Sequence, residues 1–368
     1  MKWCKRGHAV KLIKSKKNKE RITRTVCTII VALGAFVIMI PAFWMLVTSV
    51  KQKDNTQTMP PEWLPRESAK LVVDGKNYFL YDVNIDGEVK RLAAIKLHPE
   101  KSEFRDPEDF SQVYFAPSQQ AKKVRIVKFH WENYRIIWKD SLTPFSSFMK
   151  NTLTYSTLAV VGEVLSCALI GYGFARLRAP GKDFLFYLVL ATMMLPWAVT
   201  MIPNYVLFTN HIPNIINKLF NTKINLSDSW LPLILPKFFG SPYLIFLVRQ
   251  FIMTIPKDYD EAAVLDGASY YKIWAHVIMP MSKPVLISIA ILSFMYHWND
   301  YMGPMIYLNT NSKQPISVGL ANYQLMYGGT PYNLLMAGSV LSIIPLVIIF
   351  FFLNRYFTQG IVVSGVKG

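Results

Sequence analysis

Cysteine is scarce in this chain, and the usual signatures of a soluble catalyst are missing. Only three cysteines occur in 368 residues, and Cys4, Cys27 and Cys167 have no paired metal-ligand spacing. They indicate neither a disulfide framework nor a metal site. The Gly-x4-Gly-Lys-Ser/Thr loop that cradles the phosphates of ATP is absent as well. We therefore predict no catalytic residue, no metal site and no cofactor in this chain.

Acidic residues are also few. The chain has 23 Asp and Glu against 40 Lys and Arg, which gives a formal net charge of +17. Such an excess can attract nucleic acid. Here, however, ten basic residues lie between Lys2 and Arg24, ahead of an apolar stretch, and others lie beside later apolar stretches. Membrane topology explains this distribution, so we expect no nucleic-acid partner.

Apolar residues, by contrast, are abundant and clustered. They form 52% of the chain, against 17% charged residues. A helix needs about 20 residues to cross the hydrocarbon core of a bilayer. Six apolar windows reach that length, near residues 26–50, 151–175, 184–208, 229–250, 285–308 and 332–353. The sequence therefore predicts an all-α polytopic protein with six transmembrane helices in contact with membrane lipid.

The basic stretch 1–25 predicts the orientation of the spans. The apolar run from Val26 to Val50 is longer than the roughly 7–15 residues of a signal-peptide core, and no small-residue cleavage site follows it. Lys and Arg next to a first span are retained in the cytoplasm. We therefore expect a multi-pass protein of the cell (inner or plasma) membrane with both termini in the cytoplasm.

A polar loop at residues 51–146 separates the first two spans and is expected outside the cytoplasm. Two Asp-Gly pairs, at Asp74 and Asp86, lie between runs rich in aromatic and β-branched residues. Asp and Gly accept the positive φ angles of tight hairpin turns. We therefore predict a small β-rich insertion at about 68–127 that contains a three-stranded meander.

The most informative segment is the predicted cytoplasmic loop 251–284. It contains Glu261-Ala262-Ala263, then Gly267, then Pro280. This spacing resembles the cytoplasmic signature, or EAA motif, of ATP-driven importer permeases. In those families the segment forms two short coupling helices that fit a cleft on a separate ATPase subunit. The resemblance implies the type I ATP-binding-cassette (ABC) importer fold for residues 147–358.

Other segments are similar to the maltose-type, binding-protein-dependent carbohydrate importers. They include 60–65, which reads Pro-Pro-Glu-Trp-Leu-Pro, and segments that contain Tyr134, Gly171, Arg249, Trp298 and Gly365. The resemblance implies that this chain is a permease subunit, that it pairs with a second related permease, and that it binds two ATPase subunits. It also implies delivery of sugar by an extracytoplasmic binding protein. ATP and Mg would bind to the ATPase partner.

Particular residues follow from this resemblance. It implies an ATPase-docking surface formed by Glu261, Ala262, Ala263, Asp266, Gly267 and Pro280. A carboxylate near the start of a short helix is stabilised by the helix dipole and can also pair with a basic group on a partner. The C-terminal tail 359–368 is expected to reach the ATPase subunits through Gly365 and Lys367.

Polar groups at membrane depth are costly, so they should face protein or a water-filled path. The candidates are Glu163, Lys237 and His297. In the fifth span, Trp298, Asn299, Asp300 and Tyr301 are candidates for the substrate path, since aromatic faces beside planar polar groups suit a sugar ring. Because Gly303 and Pro304 follow, Asn299 and Asp300 have a second interpretation as groups that stabilise a kink.

The sequence is also compatible with other functions. A membrane-anchored sensor or assembly protein would use the outer insertion to bind a ligand, but it would leave the spacing from Glu261 to Pro280 unexplained. An ion-coupled transporter usually has paired repeats of spans, and none is visible. An ABC permease for a solute other than sugar would share the docking segment.

Overall fold

A computed structural model describes the backbone of residues 3–85, 87–139, 144–326 and 330–362, and the side chains of 19–85, 87–139, 144–322 and 330–353. The chain divides into two compact units. One comprises Met1–Asn133 with Tyr332–Ala337, and the other comprises Tyr134–Pro331 with Gly338–Gly368.

The described helices account for most of the chain. They are α1 Trp3–Ser49, α2 Glu132–Lys139, α3 Phe145–Arg176, α4 Lys182–Ala191, α5 Trp197–Val206, α6 Ile212–Phe220, α7 Leu231–Ile234, α8 Pro242–Thr254, α9 Asp258–Leu265, α10 Tyr270–Lys272, α11 Met279–Met281, α12 Lys283–Trp298, α13 Met302–Tyr307, α14 Ile316–Met326 and α15 Tyr332–Val362. Short 3₁₀ helices lie at Lys53–Asn55, Ser118–Gln120, Thr192–Met194, Leu235–Phe239 and Asn311–Lys313, and π-type turns at Leu207–His211 and Ile273–Ile278.

Four helical stretches are long and apolar enough to cross a membrane: Lys19–Ser49, Phe145–Arg176, Leu231–Thr254 and Tyr332–Leu353. Two bent pairs of helices, Lys182–Met194 with Trp197–Phe220 and Tyr270–Met281 with Lys283–Trp298, bring the total to six if each pair is one span. The bends are 99° and 78°. This count agrees with the six spans expected from the sequence.

Two of the spans are less regular than expected. The predicted span 184–208 breaks at Leu195, whose backbone is extended ahead of Pro196, because a residue that precedes proline avoids the helical region. The predicted span 285–308 also stops early, since α12 ends at Trp298 and α13 starts only at Met302. Asn299 to Tyr301 therefore form a break rather than the middle of a helix.

The insertion between the first two spans has more strands than predicted. It contains β1 Arg66–Ser68, β2 Lys70–Val73, β3 Lys76–Ile85, β4 Glu88–Lys96, β5 Ser102–Arg105, β6 Val113–Ala116, β7 Ala121–Lys123 and β8 Arg125–Val127. Strands β2 to β4 form the expected meander. Asp74 and Gly75 both have positive φ, as a type I′ hairpin turn requires. Strands β5 and β6 extend the sheet beyond β4, and β7 pairs with β3, so the three-stranded prediction was too small.

The two ends of the insertion are joined to each other. Strand β1 pairs with β8, and the Lys128 amide donates to the Pro65 carbonyl at 2.9 Å. Just below, the Asn133 side chain donates to the carbonyls of Ser49 and Lys51 at 2.8 and 2.9 Å. The insertion therefore leaves and rejoins the chain at one narrow neck.

Helix α3 is the central element of the second unit. It packs against α8, α12, α14 and the 3₁₀ helix Leu235–Phe239. Its crossing with α8 is close, because a Cβ on Gly171 would lie 2.8 Å from Val248 Cγ1. A glycine is needed at this crossing. The buried core beside it includes Ile252, Ile273 and Ile289.

Candidate functional site

The segment that carries the docking motif folds as two short helical stretches. Helix α9 contains Glu261, Ala262 and Ala263 and ends at Leu265. The Ala268 amide donates to the Ala263 carbonyl at 2.9 Å, and the Gly267 amide donates to the Val264 carbonyl at 3.0 Å. These two bonds form a Schellman cap, in which Gly267 takes the left-handed conformation with φ of +76°.

The second stretch begins at Ser269, whose hydroxyl accepts from the Lys272 amide at 3.4 Å and so caps the helix. It continues through α10, the π-type turn Ile273–Ile278 and α11. Pro280 lies two residues after the π-type turn ends at Ile278. In a regular α-helix the Pro280 ring would clash with the carbonyl four residues earlier, so the wider turn accommodates this proline.

An ion pair ties this segment to the end of α3. Arg176 Nε lies 2.8 Å from Asp260 Oδ2, and Arg176 Nη2 donates to the Ile255 carbonyl at 2.6 Å. Burial raises the pKa of the Asp260 carboxyl above its ordinary value; the Arg176 guanidinium opposes that rise and the neighbouring Glu261 adds to it. One arginine thus holds both the approach to α9 and its first turn.

The turn between the two stretches leaves apolar side chains uncovered. Leu265 is 89% exposed, and Tyr270 and Tyr271 are 67% and 68% exposed. Glu261 is exposed as well, and its carboxylate makes no ion pair or hydrogen bond with a described residue. Ala262 faces outward, whereas Ala263 packs against the chain's own core. The described surface therefore combines a free carboxylate with an apolar patch.

Within the spans, the three polar residues singled out from the sequence come together. Glu163 Oε2 lies 3.2 Å from His297 Nε2 and accepts from the Ser293 hydroxyl at 2.6 Å. Glu163 Oε1 lies 4.0 Å from Lys237 Nζ. Because Glu163 and His297 are both buried, mutual pairing offsets part of the cost of placing them there.

The cluster continues to Asp300 through a residue that the sequence did not single out. The Tyr155 hydroxyl donates to Asp300 Oδ2 at 2.8 Å and lies 3.3 Å from His297 Nδ1. Asp300 Oδ1 also accepts from the Gly303 amide at 3.1 Å. Asp300 therefore stabilises the break before α13 and extends the cluster. A tyrosine in an apolar helix gives no local signal of such a role.

Two cavities border this cluster. One has a volume of about 220 Å³ and is lined by Tyr155, Trp197, Met201, Asn204, Phe208, Pro232, Leu233, Pro236, Lys237, Tyr296, Asp300, Gly303, Ile306 and Tyr307. The other has a volume of about 560 Å³ and adds Glu163, Ser241, Tyr243 and Ser293. Pro236, Lys237 and Tyr296 line both cavities.

The four substrate-path candidates are not placed alike. Asp300 lines the smaller cavity. Trp298 is buried and donates through its indole N–H to the Ser342 carbonyl at 3.1 Å. The Asn299 side chain caps the end of α12 by donating to the Met295 carbonyl at 2.8 Å. Tyr301 is half-buried at the helix break and does not line either cavity.

A further polar cluster joins two loops of the second unit. Asp228 accepts from the amides of Asn309 and Thr310 at 2.8 and 3.0 Å, and its Oδ2 lies 2.8 Å from Lys313 Nζ. Partial burial opposes ionisation of Asp228, but the hydrogen bonds from Lys313 and Thr310 outweigh it and hold the pKa of this carboxyl well below its ordinary value. This cluster fastens the start of the fourth span to the segment after α13.

The two residues expected to contact the ATPase from the C-terminal tail cannot be placed. Gly365 and Lys367, the candidates in the C-terminal tail, lie outside the described residues. Among the residues that are described, no group of three His, Cys, Asp or Glu side chains is placed to hold a metal ion.

Comparison with known proteins agrees with the fold. A family model described as "Binding-protein-dependent transport system inner membrane component" matches residues 168–363. The arabinooligosaccharides transport system permease protein AraQ of Halalkalibacterium halodurans is 34% identical over 59% of this chain and 73% of its own length. The sn-glycerol-3-phosphate transport system permease protein UgpE of Yersinia pestis is 30% identical over 70% of this chain and 86% of its own length.

Among solved structures, a chain of a bacterial ABC transporter involved in the import of the acidic polysaccharide alginate matches 92% of this chain and 98% of its own length. The TM-score is 0.60 at 20% sequence identity, which supports a shared fold. The fold is that of a type I ABC importer permease. The chain belongs to the inner-membrane components of binding-protein-dependent transport systems.

Proposed function

We propose that this chain is the permease subunit of an importer that moves a carbohydrate, in particular an oligosaccharide, across the cell membrane. Membership of the transport family and the name of its arabinooligosaccharide relative support this substrate class. The transport complex would also contain a second related permease, two ATPase subunits and an extracytoplasmic sugar-binding protein. ATP and Mg would bind to the ATPase subunits.

The exposed turn at α9 is the observation that carries the energy-coupling part of the proposal. A partly buried ion pair holds the first turn of α9, where the carboxylate of Glu261 is exposed. Leu265 and Tyr270 are exposed at the turn that follows this helix. An uncovered apolar patch beside an unpaired carboxylate is characteristic of a protein interface. Docking of the ATPase here would convert closure of that subunit into movement of α3.

The orientation follows from the docking assignment. If the loop 251–284 contacts an ATPase, it lies in the cytoplasm, as do both termini, and the insertion at about 68–127 lies outside. The tail with Gly365 and Lys367 would then be on the same side as the ATPase subunits, where a segment of small residues with a lysine can enter a narrow gap.

The test is a charge reversal at the docking turn. In the complete importer, Glu261→Lys should lower solute-stimulated ATP hydrolysis at least tenfold, because it removes an anchor and introduces a like charge for a basic partner group. Asp258→Lys is the matched control: it is exposed, lies in the first turn of the same helix, and changes the helix-dipole interaction in the same way.

Equal losses in the two variants would assign the effect to the stability of α9. Normal coupled hydrolysis in Glu261→Lys would remove Glu261 from the docking surface. The amount of protein in the membrane should be unchanged in both variants, since neither residue lies in a span.

A further inference from the structure

The smaller cavity has the lining of a carbohydrate site. Five aromatic side chains face it, those of Tyr155, Trp197, Phe208, Tyr296 and Tyr307, and its polar side chains include Asn204, Lys237 and Asp300. An aromatic face packs on the C–H face of a sugar ring, and a few fixed polar groups orient the hydroxyls. Its volume of about 220 Å³ is less than the roughly 300–1,000 Å³ of drug-sized sites, so it suits a single sugar unit.

The ammonium group of Lys237 has unused hydrogen-bond donors at the wall of this cavity. Its ammonium lies 4.0 Å from Glu163 Oε1, beyond hydrogen-bond distance, and 5.7 Å from the centroid of the Tyr296 ring. No described residue accepts a hydrogen bond from it, although an ammonium carries three donors. The side chain is 26% exposed and lines both cavities. Its donors are therefore available to the oxygen atoms of a ligand.

Asp300 has unused acceptor capacity on the same wall. It receives one hydrogen bond on each oxygen, from the Tyr155 hydroxyl and from the Gly303 amide. A carboxylate has about four acceptor positions, so about two remain for ligand hydroxyls. Lys237 and Asp300 thus offer a donor and an acceptor to the same cavity.

The charge of the cluster determines which sugars it favours. Glu163, Lys237 and Asp300 are the charged residues among the described side chains that line the two cavities, and His297 lies behind them. Their formal charge is −1 with a neutral His297 and zero with an imidazolium. Neither state provides a net positive charge to offset the desolvation of a carboxylate or phosphate.

From this lining, unused hydrogen-bonding capacity and charge, we infer that the cavity is a subsite for one unit of an uncharged saccharide, with Lys237 and Asp300 as its hydroxyl-binding pair and Trp197 as a packing face. This inference rests on the proposed function and narrows it. Acidic sugars and phosphorylated solutes are disfavoured at this subsite because Asp300 lines it beside a single lysine, and that lysine lies 4.0 Å from the Glu163 carboxylate.

The test measures binding of saccharides to the complete importer in nanodiscs, purified through a tag on this chain, without the binding protein. The probes are arabinotriose as the neutral sugar and trigalacturonate as the acidic one. Wild type should bind arabinotriose more tightly. Lys237→Met should weaken that binding about 10- to 100-fold, as expected for loss of hydrogen bonds to a charged group. Lys150→Met is the matched control, because this exposed lysine on α3 lines neither cavity, and it should leave binding unchanged.

Two further variants keep the inference testable if Lys237→Met fails to fold. Trp197→Ala removes a residue that is 47% exposed, so it should weaken binding without loss of protein. Asp300→Asn keeps one oxygen, which can still accept from the Gly303 amide, and replaces the oxygen beside the Tyr155 hydroxyl with an amide donor. It removes a negative charge, so it should shift the affinity ratio toward trigalacturonate. A purely structural role of Asp300 would leave that ratio unchanged.

The outcomes separate this inference from the proposed function. Tighter binding of trigalacturonate by wild type, or unchanged arabinotriose binding in both Lys237→Met and Trp197→Ala, would overturn the subsite and leave carbohydrate import standing. An importer whose ATP hydrolysis responds to a non-sugar solute and to no saccharide would overturn both.

Discussion

Substitutions at Gly267 can separate the energetic cost of its backbone conformation from any effect on docking to an ATPase. The residue has φ of +76°, and a Cβ at this position would meet nothing within 4 Å in this chain. Within the chain, a substitution therefore costs only the energy of the left-handed backbone. That cost is roughly 1–2 kcal/mol for an ordinary residue and smaller for asparagine, whose side chain can bond to the local backbone.

A contact with a partner favours alanine over asparagine at this position, whereas the backbone conformation favours asparagine. If the turn fits a cleft on an ATPase, the size of the side chain matters, and asparagine is larger than alanine. We therefore expect Gly267→Asn to be the more stable variant in heat denaturation of the isolated chain in detergent, and Gly267→Ala to retain more solute-stimulated ATP hydrolysis in the complete importer. A tenfold loss of hydrolysis through weaker docking corresponds to about 1.4 kcal/mol.

The expected order of the two variants in stability is opposite to their expected order in coupled hydrolysis, and this opposition can be refuted. If Gly267→Asn keeps more coupled hydrolysis than Gly267→Ala, the glycine serves only to end α9, and the turn does not enter a narrow cleft. Gly267→Asp, which adds both bulk and a negative charge, should abolish coupled hydrolysis; normal turnover in that variant would lead to the same conclusion.

Three other predictions concern the outer insertion and the tail. Replacement of residues 66–127 by two glycines should leave a permease that still inserts in the membrane, because Lys128 and Pro65 are already hydrogen-bonded; loss of the protein from the membrane fraction would show that the insertion is needed for folding. Although burial raises the pKa of Glu67, hydrogen bonds from Lys128 and His130 outweigh it and lower that pKa below its ordinary value of 4.5. Glu67 therefore contributes stability above pH 4.5 that is lost as the pH falls through its folded pKa. Glu67→Gln should lower the melting temperature at pH 7 but not well below pH 4.5. A difference in melting temperature that does not depend on pH would show that ionisation of Glu67 is not its cause. Removal of residues 364–368 should reduce co-purification with the ATPase or uncouple its hydrolysis from transport, and unchanged assembly and coupling would show that the tail makes no contact.

The spans were predictable because a bilayer imposes a length that the sequence displays directly. The breaks within them were harder to locate. Pro232, Pro236 and Pro242 interrupt the fourth span in sequence, yet each lies at the first or second position of a helical segment, where a missing amide costs nothing. Pro196 instead follows an extended residue and accompanies a sharp bend. The same residue type produced both results, so the proline alone did not indicate the bend.

The sheet of the insertion was also only partly predictable from the sequence. Asp74 and Gly75 identified a hairpin because the turn residues and the strands are adjacent in sequence. Strands β5, β6 and β7 have only four, four and three residues, and they are held by pairing with partners formed elsewhere in the sheet. Short strands of this kind carry little local signal, because cross-strand contacts supply most of their stability.

The candidate site also has one part formed by residues that are adjacent in sequence and one part formed by residues that are distant in sequence. The docking turn is local, so its residues and spacing were visible in the sequence. The polar cluster pairs Glu163 with His297, and Tyr155 with Asp300, over separations of more than 130 residues. The cost of burying charge predicted that such residues need partners, but the fold was required to identify those partners and to add Tyr155 to the cluster.

Helix α3 connects the two parts of the site. It carries Glu163 beside the cavities and Arg176 at the docking loop, thirteen residues apart in a helix with no internal proline. At 1.5 Å per residue the separation is about 20 Å. A partner that moves α9 acts through the Arg176–Asp260 ion pair on the same continuous helix whose Glu163 pairs with His297 on α12. A displacement of the loop therefore changes the wall of the cavities unless α3 bends or one of these two side-chain contacts breaks.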